Sequence, residues 1–149
     1  MRERGESGAL DGFRLATIPE EVAVVSLHNS RPTDAERGST SHDGRYLWVQ
    51  PCGRTHVAGD LEALDGQTAK RMAARFDTSP EAFLRFWTLL ETIAKLEDIP
   101  ADVLLRRHRT EPTVNALSES HPMVRYNTDE IDGLIVTVGW LEDTAGDTE

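Results

Sequence analysis

Apolar positions recur at helical spacing in one central stretch and cluster at strand-like density on either side of it. Ala69, Met72, Ala73 and Phe76 repeat at i, i+3, i+4 and i+7, which predicts one face of an amphipathic helix. Asp77-Thr78-Ser79 breaks that period. Ser79 supplies a side-chain oxygen for an N-cap, and Pro80 suits the first helical position, where a backbone N–H is not needed. A second helix is predicted from there to about Glu97. Its stripe is Phe83, Phe86, Trp87, Leu90, Ile93 and Ala94, and Leu84, Leu89 and Leu96 widen it, so it is expected to be buried on more than one side. Asp98-Ile99-Pro100 stops it. A short third helix over 101–107 turns Val103, Leu104 and Leu105 inward, and Val114 with Leu117 permits one helical turn within 110–120.

The flanking stretches read as strands. Residues 21–27 are a β-branched run without a helical period. Residues 29–44 are rich in Ser, Thr, Asp, Gly and Pro and predict a long loop. Residues 45–50 form a second strand, and Pro51-Cys52-Gly53-Arg54 is turn chemistry that returns the chain along 55–58 as a hairpin. Gly59-Asp60 is expected to end it, with a short helical turn around Leu61 and Leu64. Further on, 123–126 is extended and 127–133 is a polar turn closing on Asp132-Gly133. Residues 134–141 are a strand apolar on both faces. Strands kept apart from helices imply an α+β fold. The expected form is one antiparallel sheet of about four to five strands on a central helical hairpin plus the short third helix. Residues 1–12 are expected to be a flexible segment, 13–142 one domain, and 143–149 an acidic tail.

Composition narrows the class. The 149 residues suit one domain. Apolar runs are far shorter than a bilayer span, and residues 1–10 lack the apolar segment of a secretory signal. The expectation is a cytoplasmic or intracellular protein, with a virion location also open, and no membrane partner. Cys52 is the single cysteine, so no internal disulfide forms. The net charge is −10, and residues 111–149 hold most of it, with 1 basic and 9 acidic side chains. Such a surface repels nucleic acid and other polyanions. Arg outnumbers Lys by 14 to 2, which with the acidic excess suggests a high-GC or salt-adapted host.

Candidate chemistry is sparse. Cys52 and His56 make one close pair, and His28, His42, His108 and His121 are scattered, whereas a zinc site wants four ligands in two close pairs. Ser41-His42-Asp43 and the segment from Ser118 to His121 place triad residue types side by side, but triads assemble from distant segments. Asp129, Glu130 and Asp132 lack the spacing of a calcium loop, and no glycine-rich phosphate loop occurs. The expectation is a protein that is not an enzyme and has no cofactor or metal. Arg106, Arg107 and Arg109 form the one basic cluster, and with the strand residues Trp48 and Trp140 they are the candidate partner-binding residues. Strands 45–50 and 134–141 are candidates for addition to a partner's sheet. Together these features point to a non-enzymatic protein–protein interaction or assembly module, with a protein partner or a homo-oligomer. Accessory and structural proteins of phages and mobile elements often share this profile.

A different class is suggested by Met72, Ala73, Phe76, Ser79, Phe83 and Phe86. Their spacing resembles the two-helix core of the lambda-repressor-type DNA-binding family and of antitoxins built on that fold, over about 21 of the 149 residues. The resemblance implies a helix-turn-helix within 66–87, with Thr78, Glu81, Ala82 and Arg85 facing DNA. Asp77 stands where that family prefers Gly, the second helix is longer than a usual recognition helix, and 67–92 carries 4 basic and 3 acidic side chains.

Overall fold

The computed structural model describes residues 13–15, 17–29, 39–42, 45–52 and 56–141, and these form an α+β fold. The strands are β1 (Phe13–Arg14), β2 (Ala23–His28), β3 (Ser39–His42), β4 (Arg45–Pro51), β5 (Val57–Ala63), β6 (Val124–Ile131) and β7 (Leu134–Leu141). Between β5 and β6 run α1 (Gln67–Arg75), α2 (Pro80–Glu97), α3 (Ala101–Arg107) and α4 (Val114–Ser120). The proposed flexible segment 1–12 and the tail 143–149 lie outside the described residues, as do the turn residues 53–55.

The helical unit forms as its pattern dictates. Ser79 Oγ accepts from Ala82 N at 3.1 Å, and Pro80 is the first helical residue. α1 ends in a Schellman turn: Thr78 N donates to Ala73 O and Asp77 N to Ala74 O, with Asp77 at φ 56. α2 ends the same way, with Asp98 in the left-handed region and Ile99 N donating to Ala94 O. Phe83 stacks on Phe76 from α1's end at 5.6 Å and on Trp87 at 6.0 Å. Phe83, Leu84, Phe86, Leu89, Leu90 and Ile93 are all buried, so α2 is the central rod of the helical layer.

The single sheet expected from the sequence is two antiparallel sheets. The first has the order β1-β2-β4-β3 and the second β5-β7-β6. They pack face to face, with Val25, Leu27, Leu47 and Val49 from the first meeting Leu61, Leu134, Val136 and Val138 from the second. The helices cover the other face of the second sheet, where Ile135 and Val124 join Phe86, Leu90, Leu104 and Leu117. β7 is therefore buried on both faces, as its continuous apolar run requires.

Several local expectations are corrected. The hairpin over 45–58 does not form: β4 pairs with β2 and β3, and β5 leaves for the second sheet, where it pairs with β7. β5 runs through Gly59 and Asp60 to Ala63, with no helical turn at Leu61. Glycine suits this position because a Cβ on Gly59 would stand 2.7 Å from Leu47 Cδ2, which would have to shift where the two sheets approach closely. Residues 29–44 are not all loop, because β3 lies within them. The polar stretch 127–131 belongs to β6, and only Asp132 and Gly133, at φ 51 and 78, make the two-residue turn into β7. A fourth helix joins the three expected: α4 has two turns, capped by Thr113 Oγ1 accepting from Ala116 N.

Candidate functional site

The second sheet ends in an eight-residue edge strand, β6, and that edge is the most distinctive surface of the fold. β7 pairs with β6 along its whole length, from Val124 opposite Leu141 to Ile131 opposite Leu134. Among the described residues, the one other main-chain hydrogen bond to β6 is Val124 N to His121 O. The remaining outward N–H and C=O groups of β6 have no main-chain partner there, so they form a template for another strand. One face of β6 carries Arg125, Asn127, Asp129 and Ile131, toward the first sheet, and the other carries Tyr126, Thr128 and Glu130, toward the helices. The strand is held in place from both sides. Thr17 Oγ1 donates to Asp129 Oδ2 at 2.9 Å and Asn127 Nδ2 donates to Thr17 O, while Ser118 Oγ donates to the Tyr126 hydroxyl.

The candidate partner residues from the sequence are spread over the molecule. Trp48 lies on β4 and Trp140 on β7, and both strands are internal, with neighbours on each side. Strand 134–141 therefore has no edge to add to another sheet, which corrects that expectation, and on strand 45–50 β3 occupies the edge along Arg45–Leu47. Trp140 is half-buried against the core between the sheets. Trp48 sits edge-on to His28 at 5.8 Å, and its indole N–H is buried without a hydrogen-bond partner among the described residues. Arg106, Arg107 and Arg109 are exposed at the end of α3, where Arg106 reaches Asp102 at 3.5 Å. Around the turn between α1 and α2, Thr78, Glu81 and Ala82 are exposed, and Arg85 Nε donates to Glu81 Oε2 at 3.1 Å.

Among the described residues, the catalytic and metal combinations weighed from the sequence do not assemble. Ser118 bonds Tyr126, whereas His121 Nδ1 meets Glu97 Oε1 at 2.7 Å. Cys52 donates its thiol proton to Glu20 O at 3.3 Å. Asp129 and Glu130 point to opposite faces of β6, and Asp132 lies 3.8 Å from Arg45. The side chains of Ser41, His42 and Asp43 lie outside what is described. Among the described residues, no group of three or more His, Cys, Asp or Glu side chains could hold a metal ion. No helix among them is long and apolar enough to cross a membrane.

Three polar clusters were not legible in the sequence. Asp60 is buried between β5 and α2, 3.9 Å from Lys95, with one carboxylate oxygen unpartnered among the described residues. Burial pushes its pKa up from 3.8 to about 8; Lys95 pulls it down, and Glu62 and Glu91 add to the rise. Burial therefore favours the protonated acid, against the pull of Lys95. The second cluster joins three helix ends: His108 and His121 follow α3 and α4, their rings 6.3 Å apart, and Glu97 closes α2. Burial, with His121 and Arg107 nearby, lowers the His108 pKa from 6.5 against the opposing pull of Glu111. The third is Ser26 Oγ, 2.8 Å from His28 Nε2 on the outer face of the first sheet. Strand alternation placed these two on one face, which was the available signal.

Comparison with protein-family models, with curated proteins and with solved structures finds no match to this chain.

Proposed function

We propose that this chain is a non-enzymatic protein–protein interaction or assembly module that binds through the β6 edge. The observation behind this reading is the eight-residue outer edge of β6, which has no strand beside it among the described residues. Strand addition uses such an edge: main-chain hydrogen bonds supply affinity, and alternate side chains supply selectivity. An open edge is otherwise an aggregation hazard. Here Arg125, Asp129 and Glu130 on β6 keep it polar, so that only a matching strand is accepted. The exposed arginines after α3 offer a second contact for an acidic partner. The test is chemical crosslinking of the chain in its native extract, followed by mass spectrometry of crosslinked peptides. A stoichiometric complex with crosslinks on 124–131 supports the reading, and a monomer without crosslinked partners overturns it.

The alternative, a helix-turn-helix regulator or antitoxin using residues 66–87, draws on one observation. Asp77 takes the left-handed conformation at the position where the resembling family prefers Gly. A salt-dependent mobility shift of duplex DNA, lost in Arg85→Glu, would favour it over the strand-addition reading.

A further inference from the structure

We infer that the occupant of the β6 edge is a second copy of this chain, whose β6 pairs antiparallel about a two-fold axis through Asn127. The inference rests on the interaction reading above and names its partner.

Two identical edges that pair antiparallel must be related by a two-fold axis normal to the sheet. That operation keeps each face of the sheet on its own side. A residue can then oppose only residues of its own face, and the axis must pass through a residue. Four central registers follow from the sequence of β6, Val-Arg-Tyr-Asn-Thr-Asp-Glu-Ile. An axis at Asp129 sets two carboxylates against each other, a repulsive pairing. An axis at Thr128 leaves Arg125 opposite Ile131. An axis at Tyr126 shortens the paired stretch and sets Arg125 against Asn127. An axis at Asn127 sets Arg125 opposite Asp129 of the second copy, and Asp129 opposite Arg125 of the second copy. It also pairs Tyr126 with Thr128 and Asn127 with itself.

The sequence of β6 is therefore charge-complementary to itself in one register and in none of the other three. The pairing joins both three-stranded sheets into one of six strands, ordered β5-β7-β6-β6-β7-β5, with β5 as the edge strand at each end. Arg125 is exposed and Asp129 half-buried, and both lie on the face toward the first sheet. Thr17 already orients the Asp129 carboxylate at 2.9 Å. The side chains that select the partner are thus set on a strand paired with β7 along its whole length.

Charge exchange tests this with the full chain. Sedimentation velocity should give a species of twice the 16.6 kDa chain mass for the natural sequence. Arg125→Asp and Asp129→Arg, each alone, place like charges opposite and should give monomers. An equimolar mixture of the two variants restores both opposite-charge pairs and should return to the dimer. Independently, Asn127→Cys in a Cys52→Ser background should form a disulfide-linked dimer on mild oxidation, because residue 127 faces itself across the axis. Thr128→Cys, off the axis, should not. A monomeric natural chain overturns the self-pairing. So do single variants that remain dimeric, or Asn127→Cys that stays unlinked. A natural chain that is monomeric alone yet crosslinks through 124–131 to another protein overturns the second copy while leaving the interaction reading standing. A monomer with no such crosslink overturns both.

Discussion

The hydroxyls of Thr88 on α2 and Thr137 on β7 hydrogen-bond at 2.8 Å in a place closed to solvent. Thr137 also meets Thr128 on β6 at 2.8 Å, and Thr88 donates to Leu84 O. A line of hydroxyls therefore crosses from the helix layer to the edge strand through an otherwise apolar core. Each hydroxyl needs the next, because a buried polar group without a partner carries its full desolvation cost. Thr137→Val keeps the shape and removes the central hydroxyl, leaving Thr128 short of its partner. We expect it to destabilise the fold by about 1–3 kcal/mol in urea unfolding. Adding Thr88→Val should cost less than the sum of the two single changes, since the pair is then apolar on both sides.

Gly139 on β7 lets α2 lie close to the sheet. A Cβ there would stand 2.9 Å from Thr92 Cγ2, 3.2 Å from Arg125 O and 3.3 Å from Leu96 Cδ1. Two of those neighbours belong to α2 and one to the backbone of β6, so the strand cannot simply tilt away. Gly139→Ala should cost about 1–3 kcal/mol by overpacking. Thr92→Ser removes the closest methyl, and in the double variant thermal unfolding should move back toward the natural chain.

The turn between α1 and α2 holds Asp77 at φ 56, with no side-chain hydrogen bond among the described residues to fix it there. Asp77→Gly should raise stability by about 0.5–1 kcal/mol, as glycine takes the left-handed region without a Cβ penalty. Ser79→Ala, two residues on, should lower it by about 1 kcal/mol through loss of the N-cap bond to Ala82. Opposite shifts in the denaturation midpoint of these neighbouring substitutions would separate backbone conformation from capping.

The helices were legible because their signals are local. Ser79-Pro80 starts α2, Asp98-Ile99-Pro100 ends it, and the apolar stripe between them needs only helical geometry. β7 was legible because a strand buried on both faces is continuously apolar. The partition into two sheets was not, because it depends on close approach between distant segments. Gly59-Asp60 reads as a strand end, yet Gly59 is dictated by Leu47 and Asp60 by Lys95, contacts no local pattern encodes. β6 was read mostly as a turn because an edge strand under two covering layers keeps its polar residues: Asn127, Thr128 and Asp129 are all half-buried and all hydrogen-bonded. The candidate interaction surface was hidden for the same reason. Trp48 and Trp140 stand out in the sequence by their size, whereas the edge is defined by the strand order.

The two buried titrating groups tilt stability in opposite directions. Asp60 has a folded pKa of about 8 against 3.8, so the folded state holds a proton that the unfolded chain releases. Its contribution is full below 3.8 and is lost as pH rises through about 8, with a slope of up to about 1.4 kcal/mol per pH unit. His108 is lowered from 6.5, so the folded state resists a proton that the unfolded chain accepts. Its contribution is present above 6.5 and is lost as pH falls through the folded value. Asp60→Asn keeps the shape and cannot ionise. It should remove the fall in stability that Asp60 causes between pH 3.8 and about 8, making the variant more stable than the natural chain at pH 9. His108→Gln should remove the loss of stability that His108 causes below 6.5 and leave the fall due to Asp60 in place. Urea midpoints measured from pH 4 to pH 9 for the three proteins check both signs. An Asp60→Asn curve that runs parallel to the natural one would mean that Asp60 is ionised in the fold and paired with Lys95.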